Sequence, residues 1–349
     1  MHIKGKDDDP LMTLKQEVQR IASSYTEKKK QALLVIGLIH EGETHVFHFG
    51  DHPIQQRVQP EEVIFEIGSI SKVFTTSILA SMVQRGQMKL DDSISLYCPR
   101  VRKNHPVQIE QLATHTSGLP TNGLLRELQL LFLPKVRRDM YCQYSLDELM
   151  KQLNSKKWNR LQHFPSRYSN VGMGLLGLLM GWSLNKTYEQ LLTEYIVEEL
   201  NLSHTFITSK DHLKEKVILG HKENGKEVPP LQLIDYQGAG AIRSTITDLL
   251  VFLSAHMSED VHSPWKMTHE PRLKISKNMS MGLGWIIDDT GLICHNGATS
   301  GFSSFMGFRS NSKTGVVVLS NYRNRITQDS PDRIAYDLMN MLQHEPKIK

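Results

Sequence analysis

Two β-rich blocks near opposite ends of this chain enclose a long helical middle, and that order restricts the folds open to it. The first block is the run at residues 32–39, a turn-like Glu41-Gly42-Glu43, and a second run at 45–49. Branched and aromatic residues on both sides of a glycine turn predict a hairpin. The last block supplies short strands at 284–287, 291–295, 302–308 and 315–319. Between the blocks, helical periodicity predicts helices at 109–115, 124–132, 145–153, 171–184, 187–199 and 245–257. Further helices are expected at 13–30 and 331–342. Strands from both ends bury their apolar faces most simply by meeting in one sheet. The expected fold is therefore α/β (α+β): an antiparallel sheet of about five strands, covered by the N- and C-terminal helices, with an inserted all-helical domain. Residues 12–85 and 235–349 would form the sheet domain and 86–234 the insertion. The polar residues 1–11, with Asp7-Asp8-Asp9, are expected to be a leader before a native start at Met12.

With 349 residues, 39% hydrophobic and 22% charged, the chain can bury a substantial core. Lysine plus arginine exceeds aspartate plus glutamate by 41 to 37, and no aromatic residues interleave a basic stripe, so nucleic-acid binding is not supported. Lys28-Lys29-Lys30 and Lys135-Val136-Arg137-Arg138 read as solvated helix ends or loops. Cys98, Cys142 and Cys294 have no ligand spacing and suggest a reducing compartment or inert thiols. The 16 histidines include no HExxH pattern, and His45 and His48 would point to opposite faces of a strand. No metal or other cofactor is expected. No apolar run reaches about 18 residues, so no membrane span is expected. The sequence reads as cytoplasmic, or extracytoplasmic if the leader stands in for a signal.

The chemistry starts at Ser69-Ile70-Ser71-Lys72. If a helix begins near Ser69, this spacing puts hydroxyl and amine on one helical face. A serine hydroxyl is a weak nucleophile until a neighbour takes its proton, and a lysine can do so only as a neutral amine. Taken alone, Ser-x-x-Lys arises by chance roughly twice in such a chain. Tyr168-Ser169-Asn170, after Phe164-Pro165 and before an apolar helix, offers a phenol and an amide at a helix entrance. By itself Asn170 reads as an N-cap. His295-Asn296-Gly297 offers a polar head from an edge strand facing Ser69, with Gly297 expected to let a substrate backbone approach.

In this order and spacing, the three segments resemble the Ser-x-x-Lys, Tyr-x-Asn and His-x-Gly motifs of the penicillin-recognising serine hydrolases. The resemblance is to the branch of class C β-lactamases, D-alanyl-D-alanine peptidases and related esterases. Residues 112–120 (Leu-Ala-Thr-His-Thr-Ser-Gly-Leu-Pro), 238–245 with Asp248, and Gly282-Leu283-Gly284-Trp285 are similar to further landmarks of that branch. The likeness spans roughly residues 32 to 342 and implies a β-lactamase-like fold. It also implies an acyl-enzyme on Ser69, with Lys72 and Tyr168 moving its proton and Asn170 holding the acyl side. The N–H groups of Ser69 and Ala298 would form the oxyanion hole.

Lys313-Thr314-Gly315 spells the lysine form of the third motif, but it precedes Val316-Val317-Val318-Leu319, where a hairpin turn is the simpler account. With His295 in the third motif, recognition of a substrate carboxylate is less assured, although Thr299 or Ser300 could add hydrogen bonds. The expected activity is serine acyl hydrolysis of a small peptide, D-amino-acid amide or ester. A true β-lactamase is the second reading, and a slowly deacylating penicillin-binding or sensing module, with β-lactams as acylating ligands, is the third. Loops at 121–127 and 138–143 would shape the substrate pockets.

Overall fold

The computed structural model describes residues 10–27, 29–121, 145–155, 165–324 and 330–344. The helix expected at 124–132, the loop at 138–143, most of that at 121–127, Cys142, and most of the proposed leader lie outside the described residues.

Both blocks of strands enter one antiparallel sheet of eight strands: β1 (Leu33–His40), β2 (Glu43–Gly50), β7 (Leu273–Ser276), β8 (Met279–Met281), β9 (Ile286–Asp288), β10 (Ile293–Ala298), β11 (Ser303–Arg309) and β12 (Thr314–Ser320). Their order across the sheet is β2-β1-β12-β11-β10-β9-β8-β7. Two-residue ladders pair β3 (Phe65–Glu66) with β6 (Arg243–Ser244), and β4 (Gly220–His221) with β5 (Glu227–Val228). The sheet exceeds the expected count of about five because all six predicted strand segments join it and the β7–β8 hairpin adds two more at a polar edge. Its Lys274, Ser276 and Ser280 lack the branched and aromatic character that marks the other strands.

Burial on both faces explains why β1 and β12 read as continuous apolar runs. Leu33 and Val35 of β1 and Val317 and Leu319 of β12 point into the main core. Their neighbours Leu34, Ile36, Val316 and Val318 point the other way, onto Leu14 and Val18 of α1 (Pro10–Ala22) and onto the C-terminal helix.

Other helices include α2 (Ser71–Gln84), α3 (Ile109–Ala113), α4 (Leu146–Leu153), α5 (Asn170–Leu184), α6 (Tyr188–Leu192), α7 (Ile246–Met257) and the C-terminal α8 (Pro331–His344). Ser145 caps α4 and Thr187 caps α6, each in a reciprocal capping box. Helix α2 is buried from Ser71 to Met82 and has no polar face. Its hydroxyls turn back on its own carbonyls, Thr75 Oγ1 to Ser71 O at 3.1 Å and Ser77 Oγ to Val73 O at 2.6 Å. It can therefore run through the core, stacked on α7 through Phe74 and Phe252 and tied to Gly238 O through Thr75.

Beneath α2, His256 Nε2 lies 3.0 Å from Ser77 Oγ, and His256 Nδ1 lies 2.8 Å from His269 Nε2. Trp265, Trp285 and Phe308 close around the pair. Burial depresses both imidazoles, His269 to about 3, so the folded state keeps them neutral while the unfolded chain protonates near 6.5. Their stabilisation is full above about pH 6.5 and declines as pH falls toward the folded values, by up to about 1.4 kcal/mol per pH unit for each histidine. The urea midpoint should drop between pH 7 and pH 5, and His269→Gln should flatten that slope. Equal midpoints at the two pH values would refute the account.

Candidate active site

Ser69 sits in a 3-10 turn, Gly68–Ile70, that feeds directly into α2. One helical turn later Lys72 points back, its Nζ 3.0 Å from Ser69 Oγ and 2.6 Å from Ala239 O. Lys72 is completely buried, and desolvation holds its amine well below the ordinary lysine range. In its neutral form the amine would give one N–H to Ala239 O and keep a lone pair. Ala239 belongs to the 238–245 segment, which also fixes the start of α2 through Ile242 N to Ser71 Oγ at 3.1 Å.

Tyr168 arrives from an extended segment ahead of α5 and donates its hydroxyl to Ser69 Oγ at 2.7 Å. At 37% exposure the phenol is open to the cleft, whereas Lys72 is sealed beneath it. Ser169, not Asn170, caps α5: its Oγ accepts from Gly172 N at 2.8 Å and donates to Pro120 O at 2.7 Å. Asn170 is the half-buried first residue of the helix, with its backbone N–H on Thr121 O.

Strand β10 brings the third segment. Alternation sends His295 and Gly297 to the inner face and Asn296 outward, where its Nδ2 donates to Asp332 Oδ1 of α8 at 2.7 Å. The His295 ring is 6.3 Å from that of Tyr168. Its Nδ1 donates to Asn296 O at 2.6 Å, which leaves Nε2 as the acceptor. Burial, then the neighbouring Lys72, pushes His295 down to about 4, so it is neutral at pH 7.

A methyl at Gly297 would overlap Ile67 O and Ser304 Oγ, so the missing side chain lets the protein's own chain approach β10 closely there. Gly68, at φ +52°, meets β10 from the other side: a Cβ there would lie 2.6 Å from Ala298 N. The serine turn and Ala298 are thus in backbone contact. Thr299 is buried, and its Oγ1 accepts from Gly301 N at 3.4 Å, within the turn to β11. Lys313 is an exposed residue of the β11–β12 turn, paired with Glu259 at 2.7 Å.

Among the described residues, no group of three or more His, Cys, Asp or Glu side chains is placed to hold a metal. No helix there is long and apolar enough to cross a membrane.

A serine hydroxyl, an amine depressed by burial and a phenol converge where a helix starts. The family model for Beta-lactamase matches residues 18–339. Curated relatives include a beta-lactamase of Yersinia enterocolitica, 26% identical with 90% of this chain and 88% of that protein covered. A beta-lactamase of Escherichia coli K12 is 24% identical over 93% of each. Among solved structures, a beta-lactamase/D-alanine carboxypeptidase from Pseudomonas syringae superimposes with a TM-score of 0.81 at 20% identity, covering 96% of this chain and 99% of that one. A class C beta lactamase from Rhodobacter sphaeroides gives 0.74 at 23%, covering 89% and 95%. The chain belongs to the beta-lactamase family and is a serine hydrolase.

Gly68→Ala tests the backbone contact. The new methyl meets main-chain atoms that cannot rotate away, so the serine turn and Ala298 must part. A displacement near 1 Å should lower kcat by about 100-fold. Circular dichroism should report a retained fold, and wild-type turnover in this variant would show that the contact does not matter.

Proposed function

We propose that this protein forms an acyl-enzyme on Ser69 and hydrolyses a small peptide, D-amino-acid amide or ester. The observation that carries the reading is Ser69 Oγ, bonded at once to a sealed amine and an open phenol. Lys72, as the neutral amine, takes the Ser69 proton as Oγ attacks the carbonyl carbon. Tyr168 relays a proton to the leaving group as its bond to that carbon breaks. The N–H groups of Ser69 and Ala298 receive the oxyanion, and Asn170 holds the acyl side. Water, activated through Tyr168, then releases the acid and restores the serine. Ser69 and His295 come from the sheet portion, residues 12–85 and 235–349, and Tyr168 from the insertion, 86–234.

The state of His295 supports a substrate without a carboxylate at this position. A lysine there would be a permanent cation, whereas His295 is neutral and presents a lone pair at Nε2, which repels a carboxylate oxygen. A true β-lactamase is the second reading, favoured by the names of the curated relatives.

Hydrolysis of a p-nitrophenyl ester and of a chromogenic cephalosporin, with Ser69→Ala as control, separates the readings. Steady turnover of the ester alone is the expected result. Comparable turnover of the cephalosporin would favour the lactamase, and a stable penicilloyl adduct without turnover a sensing module. Full activity in Ser69→Ala would sink the mechanism.

The pH dependence follows from Lys72. Protonation removes the base, so kcat/KM should fall on the acid side, with a midpoint well below the ordinary lysine value of about 10.4. Lys72→Arg, charged at every accessible pH, should cost kcat a factor of about 1,000 or more. An Arg variant that turns over at the wild-type rate would exclude Lys72 as the base.

A further inference from the structure

Tyr168 must hold its hydroxyl on Ser69, yet it belongs to no helix or strand. Its backbone is secured by hydrogen bonds to the 115–121 segment. Tyr168 O accepts from Thr121 Oγ1 at 2.8 Å, and Ser169 Oγ donates to Pro120 O. Two further bonds involve one residue. Arg167 N donates to His115 O at 2.9 Å, and Ser169 N donates to His115 Nδ1 at 3.2 Å. His115 therefore grips the chain immediately before and immediately after Tyr168. Its ring also lies against the phenol, with centroids 4.7 Å apart.

Resting on the acyl-enzyme reading above, we propose that His115 is a positioning residue that sets Tyr168 on Ser69, through the Nδ1 acceptor and the carbonyl that bracket the tyrosine. The residue type fits the task. At φ +60° the position is left-handed, which histidine tolerates better than most side chains. The imidazole is 1% exposed and must accept at Nδ1, so it must be neutral with its proton on Nε2. That Nε2 has no hydrogen-bond partner among the described residues, so the site buries an unpaired N–H to keep the acceptor where it is. Burial, then Lys72 and His295, pushes the ring down to about 3, so the acceptor persists at every working pH.

Two substitutions separate the acceptor from the ring. His115→Asn places an amide oxygen where Nδ1 stands and suits the left-handed backbone, but removes the ring. His115→Phe keeps a ring and removes the acceptor. With a p-nitrophenyl ester, His115→Phe should lower kcat by about 100-fold while KM stays within about threefold. His115→Asn should retain kcat to within about tenfold. If His115 acts through Tyr168, then His115→Phe added to Tyr168→Phe should cost no more than about twofold beyond Tyr168→Phe alone. Should His115→Phe not fold, His115→Gln, whose amide reaches past Nδ1, replaces it with the same expectation.

The proposal is overturned if the acceptor-free variant keeps wild-type kcat, if the Asn variant falls as far as it does, or if the two losses multiply in the double variant. Ser69→Ala keeps failure of the wider reading apart. Loss of activity there alongside a fully active His115→Phe would refute only the positioning by His115.

Discussion

The buried amine of Lys72 is the constraint on which the rest of this structure depends. An ammonium without a counter-charge in a dry interior costs several kcal/mol, so the group gives up its proton and satisfies what remains by hydrogen bonding. Ala239 O and Ser69 Oγ provide those bonds. Sealing one side chain this fully requires its helix to lie inside the protein. Helix α2 meets the requirement with hydroxyls that bond to its own turns in place of a polar face. It also needs cover on every side, which comes from α7, α5, α6 and the turns at 264–269 and 237–239. The site consequently falls where the sheet and the inserted helices meet.

The sheet contributes an edge as well as a wall. Strand β9 pairs with β10 only at Ile293 and Cys294. From His295 onward that side of β10 turns toward the serine turn, while β11 continues to bond the other side through Ala298 and Ser303. Ser304 Oγ reaches across to Ile67 O at 2.9 Å and ties the turn to the sheet. Two glycines, Gly68 and Gly297, make the approach sterically allowed. Strand alternation then sends His295 inward, while Asn296 bonds outward to Asp332 on α8, so one dipeptide faces the chemistry and braces it from behind.

Much of this was legible because the features that define it are local in sequence. Apolar runs marked β1, β11 and β12, and the turn signals around Lys313 excluded the false third motif. The sheet order explains that exclusion. Ala298 pairs with Ser303 at one end of β11, whereas the Lys313 turn joins its other end, roughly 20 Å away at strand rise. What escaped depends on contacts between distant segments. Ala239 acts through a carbonyl that every residue possesses. The close approach of Ile67 O at Gly297 comes from 230 residues away in sequence. Ser169 and Asn170 are both good caps, and Pro120 O favours the serine. The β7–β8 hairpin alternates apolar and polar residues, a signal present but weak among lysines and serines.

The phenol at the centre of the site stands between two neutral imidazoles of opposite tautomer. His115 must accept at Nδ1 and so carries its proton on Nε2; His295 donates from Nδ1 and so offers a lone pair at Nε2. Burial is the largest cause of neutrality in both, and each also lies near Lys72. In the proposed mechanism, a cation at either position would raise the cost of protonating Lys72 as it takes the serine proton. Keeping both rings uncharged lets that transient ammonium form without a like charge beside it. The same neutrality removes the fixed positive charge that would draw an anionic substrate group to β10. The absence of a lysine in the third motif and the proposed use of Lys72 as a base would then be one electrostatic arrangement, with less attraction for a carboxylate and a Lys72 amine able to take up a proton.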